Sequence, residues 1–502
     1  MEIRLSIKSW TNALIVIAQT PKGFNMKKIF LTAIYVLAWS TVSLATGLMP
    51  SQQDPVRPNI LVILSDDVPW NILGYQGGKV ASPSIDRIAK NGVQLNNFYV
   101  QSVCTPTRAS LLTGRYPLRN GTIARFNRSG GMLVDERTMA DALREAGYRT
   151  AIVGKWHLGN WEQEYLPRQR GFDHQYGLYN GVLDYYSRMR GKKYDWHRND
   201  KPIYEEGYTT DLIGDEAVRL INNHSGERPL FMYVPFTAAH SPLQAPKEVI
   251  ELYHKKYADA VLSPMEVDRK AKIAAMTHIM DQAIGRILQA IDSRSWTENT
   301  LVLFFNDNGG PGKNVNLPLK GGKATYWDGG IKVPFVAQWP GKIKAGTVVD
   351  EPVMVVDLYP TLIKLAGGSL EQALPIDGLD IWPVIAEGAK SPRKEFIWSP
   401  KVIRHGDWKL IDTGGQYYPH GVAGKKEVES GIPSEAQLYN IAEDPYEKNN
   451  LINDHPKIVD SLRQRLTEIQ SEIRPAALVE DIPKGAMIYG EEESKTFKGW
   501  NN

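Results

Sequence analysis

Four short apolar runs organise the chain, and each closes on polar residues. Residues 59–64 (Asn-Ile-Leu-Val-Ile-Leu) run into Ser65-Asp66-Asp67, and residues 150–153 run into Gly154-Lys155-Trp156-His157. Residues 230–234 lead to Thr237 and His240, and residues 301–305 run into Asn306-Asp307-Asn308-Gly309. Each run is short and apolar throughout, as in strands buried on both faces. Helical patterns lie between them. Ser82-Pro83 is expected to cap one that carries Ile85, Ile88 and Ala89. Residues 137–146 carry Met139 and Leu143 and stop at Gly147, and residues 268–292 repeat Ile273, Met276, Met280, Ile284, Ile287 and Ile291 near a 3.6 period. Ser-Pro is a helix-start signal and Gly a helix-stop signal. Alternating strands and helices predict an α/β fold, a large, mostly parallel sheet sandwiched by helices. Ligands of such sheets bind beyond the carboxyl ends of the strands. A single Asp or His there is most simply a loop cap or a solvated side chain. Four polar strand ends at once point instead to a shared rim.

The pattern changes after residue 375. Residues 396–398, 401–404 and 408–411 read as short strands of a small antiparallel sheet, and residues 458–473 as a closing helix. The expected organisation is a leader at 1–45, a large α/β domain at 55–375, an α+β subdomain at 376–480 and a polar tail at 481–502. Lys27 and Lys28 precede an apolar run, and Ser43-Leu44-Ala45 offers small residues for cleavage, which is the pattern of a secretory signal. The 25 residues ahead of Met26 make a long leader and point to Met26 as the start. The competing explanation of the apolar run is an N-terminal membrane anchor. No later run of 18 apolar residues follows, so the mature chain is expected to be soluble, exported and periplasmic or secreted.

With 502 residues, 42% of them hydrophobic, the chain can bury a large core. Its 59 basic and 56 acidic residues nearly cancel, and no basic stripe with interleaved aromatics suggests a nucleic-acid partner. Cys104 is the single cysteine, so no intrachain disulfide forms. A lone cysteine is usually a small buried hydrophobe. Here its neighbours change the picture. In Cys104-Thr105-Pro106-Thr107-Arg108, followed by Leu112-Thr113-Gly114-Arg115, Pro106 suits a first helical turn and Gly114 a helix end. Cys104 then sits at the positive end of a helix with Arg108 one turn on, surroundings that lower a thiol pKa and attract anions. Asp66-Asp67 and Asp307-Asn308 add four hard oxygen donors, suited to calcium or magnesium rather than zinc. Adjacent buried carboxylates need a cation or a proton between them.

The Cys104-x-Pro106-x-Arg108 motif with Leu112-Thr113-Gly114-Arg115 resembles the signature of the type I, formylglycine-dependent sulfatases of the alkaline-phosphatase superfamily. The resemblance runs from about residue 58 to 451. It takes in residues 154–159, residues 318–323 followed by Asp328-Gly329-Gly330, and the late Leu438-Tyr439-Asn440, Asp444-Pro445 and Asn450-Leu451. Residues 70–75 most resemble the arylsulfatase B-like branch; Val68-Pro69 departs from the glycine many relatives carry there. The resemblance implies a sulfuric ester hydrolase whose 55–375 region is catalytic and whose Cys104 is oxidised to formylglycine by a maturation enzyme. It implies that Asp66, Asp67, Asp307 and Asn308, with the modified Cys104, hold one calcium ion. Arg108 and Lys155 are then expected to orient the formylglycine hydrate and neutralise sulfate. His240 and Lys323 are expected to serve the leaving oxygen, and His157 to take the proton whose loss expels sulfate. A loop cation, a cap and a packing histidine are the bland alternatives for Lys323, His157 and His240. Two other functions compete: a phosphodiesterase or phosphonate monoester hydrolase of the same superfamily, and a non-enzymatic glycan-binding relative.

The expected substrate is a sulfated carbohydrate, such as an oligosaccharide of ulvan, carrageenan or a glycosaminoglycan. Residues 180–197 hold Asp184, Tyr185, Tyr186, Arg188, Arg190, Tyr194, Trp196 and His197. Aromatic faces stack on sugar rings, and Arg pairs with carboxylate or sulfate groups. Asp184, Arg188, Arg190, Trp196 and His197 are the substrate-binding candidates; the alternative is that the segment packs as an ordinary loop. No apolar membrane-inserting hairpin accompanies the rim.

Overall fold

The computed structural model describes residues 57–122, 131–312, 314–412, 433 and 435–474, together with the backbone of 492–493. The expected leader and most of the tail lie outside the described residues. The four apolar runs are strands: β1 (Asn59–Ser65), β2 (Arg149–Val153), β3 (Leu230–Pro235) and β4 (Thr300–Asn306). They lie side by side in the order β4-β1-β3-β2, all parallel. His174–Gly177 extends the parallel set beyond β2, and further strands, joined to it through an antiparallel pairing on each flank, widen the sheet to ten strands. The sheet is therefore mixed, with its parallel part at the centre.

Burial on both faces explains the unbroken apolar runs. In β1, Leu61 and Ile63 enter one core, while Ile60, Val62 and Leu64 enter the other. The first core is covered by the helices Thr209–Asn222 and Pro264–Ser293. The second is covered by Met139–Glu145 and Leu358–Leu365. The long helix begins four residues before the periodic stretch, because Ser263 and Glu266 form a capping box around Pro264. Ser82 precedes its helix as expected but does not cap it. Its hydroxyl instead accepts from the backbone of Gly74 at 2.7 Å and donates to Asp86 at 3.0 Å.

The second sheet has four antiparallel strands in the order Glu395–Ser399, Val402–His405, Trp408–Ile411, Gln437–Asn440. The helix Pro456–Gln470 covers it with Val459, Leu462, Leu466 and Ile469. Its core also takes in Tyr99, Tyr116, Tyr326 and Met354 from the first part of the chain, whereas Ile381, Val384 and Ile385 join the core of the large sheet. Contacts thus cross residue 375 in both directions. Among the described residues no helix is long and apolar enough to cross a membrane.

Candidate active site

The polar residues that end β1, β2, β3 and β4 meet beyond the carboxyl edge of the sheet, where parallel strands leave their loops side by side. Cys104 begins the helix Cys104–Thr113, all ten residues of which are buried. That helix therefore lacks an amphipathic stripe, and only its Pro and Gly signals betray it. Gly114 ends it in the left-handed region. One turn on from Cys104, the Arg108 guanidinium donates to Asp66 at 3.1 Å, to Asp307 at 2.8 Å and to the Lys155 carbonyl at 3.1 Å. Lys155 Nζ lies 2.5 Å from Asp66 Oδ2. Lys323 Nζ lies 2.6 Å from Asp67 Oδ1, which also accepts from Asn308 Nδ2 at 2.7 Å. His240 Nε2 stands 3.7 Å from Asp67 Oδ2. His157 Nδ1 is 3.3 Å from Cys104 Sγ and 3.2 Å from Thr105 Oγ1. The fold thus gathers Cys104, Arg108, Lys155, His157, His240, Lys323, Asp66, Asp67, Asp307 and Asn308 into one cluster.

Burial makes the charges in this cluster matter. It opposes ionisation of the Cys104 thiol, yet Lys155 and Lys323 draw the thiol below its ordinary pKa. For His157, burial and then Lys155 and Arg108 push the imidazole well below its usual range, which keeps it neutral. Burial also weighs against a charged Asp66, but Lys155, His240 and Arg108 hold its carboxyl below the ordinary carboxylate value. Asp307 goes the other way, pushed well up by burial and by Asp66 beside it. Two buried acids so close disfavour ionisation of both at once, so one is held low and the other pushed up. Asp66 Oδ1 and Asn308 Oδ1 are buried and accept no hydrogen bond. Asp66, Asp67 and His240 bring ligand atoms within 4.8 Å of one another. Crowded carboxylates with two unsatisfied buried oxygens fit a hard divalent cation.

Two contributors escape a sequence reading. Thr107 Oγ1 donates to the Asp307 carbonyl at 2.6 Å, tying the Cys104 helix to the Asp307–Asn308 turn. It sits inside the cysteine motif, which was the available signal. Gly181 lies against the His157 ring so closely that a Cβ there would come within 2.4 Å of Nε2. Nothing in the local sequence marks that contact.

The 180–197 segment reaches the same rim, but three of its five substrate-binding candidates are interior groups. Trp196 is fully buried, edge-on to Tyr176, with its indole N–H on Glu205. His197 is fully buried and stacked on Tyr179 with ring centres 4.3 Å apart. Arg188 is buried and donates to the carbonyls of Gly207 and Glu205. Aromatic and Arg residues serve a packed loop as well as a sugar, and composition does not separate the two. Asp184 holds its own turn, accepting from the backbone of Tyr186 and Ser187 and from Gln244. Arg190 remains partly exposed and bonds Asn180, the neighbour of Gly181. Arg188→Ala is therefore expected to act on stability, costing about 1–3 kcal/mol through two orphaned carbonyls. Urea denaturation checks this: a lower midpoint with unchanged turnover of the folded enzyme is the expected result.

The central parallel sheet and its rim of paired acids and cations place the protein among the hydrolases of the alkaline-phosphatase superfamily. A family model described as Sulfatase matches residues 58–369. Arylsulfatase J of Mus musculus is 33% identical over 468 residues, covering 84% of this chain and 77% of its own. N-acetylgalactosamine-6-sulfatase of Homo sapiens is 32% identical over 397 residues, covering 73% of this chain and 72% of its own. The crystal structure of Ps i-CgsB in complex with k-i-k-neocarrahexaose superposes with a TM-score of 0.72 at 26% identity, covering 86% of this chain and 96% of that one. The chain belongs to the sulfatase family and is a sulfuric ester hydrolase.

Proposed function

We propose that this enzyme removes sulfate from a carbohydrate, using Cys104 matured to formylglycine and a calcium ion held by Asp66, Asp67, Asp307 and Asn308. The observation that carries the reading is the place of Cys104: at a helix start, 3.3 Å from His157 and among Arg108, Lys155 and Lys323. Calcium, when bound, supplies a Lewis acid that polarises a sulfate oxygen. The hydrated aldehyde supplies a geminal diol, able to attack sulfur with one hydroxyl and to release sulfate through the other. The rest belongs to the chain. Arg108 and Lys155 set positive charge where sulfate oxygens gain negative charge. His157, kept neutral, is placed to accept a proton from the group on the β-carbon of residue 104. Lys323 and His240, both beside Asp67, are placed to stabilise or protonate the departing alcohol oxygen.

Two observations support a carbohydrate substrate. Relatives include an enzyme named for N-acetylgalactosamine 6-sulfate and a solved structure holding neocarrahexaose. In addition, Arg190 bonds Asn180, the chain neighbour of the Gly181 that lies against the His157 ring, and a partly exposed guanidinium there suits a second anionic group on a sugar. The Lys27–Ala45 pattern supports export to the periplasm or beyond. The test is a panel of defined sulfated oligosaccharides run with 4-nitrophenyl sulfate and a phosphonate monoester. The expected result is highest kcat/KM on a sulfated sugar, with Arg190→Ala losing about 10-fold or more there and little on the aryl ester. Preference for the phosphonate, or no glycan among the substrates, would overturn the reading.

A further inference from the structure

Three stretches take no part in the chemistry above: Asp328-Gly329-Gly330, Trp408-Lys409 and Asp444–Glu447. The fold brings them to one point. Lys409 Nζ lies 2.8 Å from Asp328 Oδ1 and 2.7 Å from Glu447 Oε1, and all three side chains have no solvent exposure. Glu447 Oε2 accepts from the Asp328 backbone N–H at 2.7 Å. Tyr99 donates to Asp328 Oδ2 at 3.0 Å and accepts from Arg404 at 2.9 Å. Lys320 donates to Tyr439 at 2.9 Å and to the Glu447 carbonyl at 3.2 Å, and Trp327 donates to Gln437 at 2.9 Å. Residues 320–328 are therefore fastened to the second sheet at both ends.

The same residues are fastened to the reacting centre from the other side. Lys323 N–H donates to Gly310 O at 3.2 Å, Ala324 N–H to Ser102 O at 2.8 Å, and Gly309 N–H to Gly330 O at 3.0 Å. A Cβ on Gly309 would fall 1.7 Å from Gly329 O, so the Asp307–Asn308 turn rests on Gly329-Gly330 without slack. A buried ion cluster is a weak source of net stability, since apolar residues of like volume often do as well. Its distinctive property is specificity of place: shut off from water, each charge is held by the few partners just named, since leaving one unpaired is costly.

We propose that Lys409, Asp328 and Glu447 are positioning residues through which the second sheet sets both the Lys323 loop and the Asp307–Asn308 turn. The inference rests on the roles given above to Lys323 and Asn308. In Lys409→Met, Lys323 is expected to lose its aim at the leaving oxygen and the metal turn to loosen. The readouts are kcat and KM on 4-nitrophenyl sulfate and phenyl sulfate, calcium affinity of metal-stripped protein by titration calorimetry, and folded fraction by circular dichroism. Phenolate needs more help in leaving than nitrophenolate. The expected result is that kcat on phenyl sulfate falls about 10- to 100-fold, several times more than on the nitrophenyl ester, with KM little changed. Calcium affinity of the folded variant is expected to fall about 10-fold or more. The double variant Lys409→Met/Glu447→Gln restores charge balance and carries the test if the single variant does not fold; conservative Lys409→Arg, which keeps the buried cation, is expected to retain part of the activity that Lys409→Met loses. Lys323→Ala is the control. If it lacks the leaving-group effect, the role of Lys323 is wrong, and calcium affinity alone then decides the positioning role. Equal losses on both esters, tracking only the folded fraction, with unchanged calcium affinity, would overturn the proposal.

Discussion

Cys104→Ala is expected to abolish sulfate-ester hydrolysis while leaving the fold intact. Alanine keeps the helix start and loses only a small buried sulfur, so secondary structure and melting behaviour should stay close to wild type. The loss of turnover should be at least about 10⁴-fold, the scale on which removing a nucleophile acts when the remaining machinery is preserved. Arg108, Lys155 and Lys323 would still gather sulfate, so KM is expected to move far less than kcat. Steady-state kinetics on any competent sulfate ester checks this, together with mass spectrometry of the wild-type peptide spanning residue 104. Near-wild-type turnover by purified Cys104→Ala would remove residue 104 from the mechanism. Cys104→Ser is a poorer choice, because some maturation systems also oxidise serine.

The second large effect is expected from metal removal. Asp66, Asp67 and Asp307 crowd three carboxylates, and burial with Asp66 already pushes Asp307 upward. Stripping the ion with a chelator should abolish activity, and added calcium should restore it. Melting temperature should follow, since a ligand held at 100 times its Kd stabilises the folded state by about 2.7 kcal/mol. Affinity should fall as pH falls, because protons compete for carboxylates whose ionised form binds the ion. Asp307→Ala and Asn308→Ala should both raise the calcium concentration needed for half activity. Full activity in protein shown metal-free by elemental analysis would refute the assignment.

Much of the centre was legible because its chemistry is local. Cys104, Pro106, Arg108 and Gly114 stand within one helix, so helix-end signals placed the thiol and the guanidinium on one face without tertiary knowledge. Lys155, His240 and Asp307 each follow an apolar run, and the carboxyl-edge rule for parallel strands put them on one rim. The 180–197 segment was not legible in the same way. Its aromatics and arginines suit a sugar-binding loop, yet Trp196, His197 and Arg188 are interior. An irregular segment has no period, so nothing in the sequence tells which side chains turn inward.

By itself, then, the sequence determined the elements and the local chemistry: apolar runs buried on both faces, helix starts and stops, and the cysteine motif. These depend on neighbours within a few positions, where backbone geometry dictates which side chains share a face. Tertiary structure alone decided the pairings between residues distant in the chain. It put Lys323 on Asp67, Thr107 on the Asp307 carbonyl, Gly181 on His157, and Lys409 between Asp328 and Glu447. Each partner is met only once the chain has folded: burial leaves no water to satisfy the charged and polar groups, and close packing leaves no room beside the His157 ring.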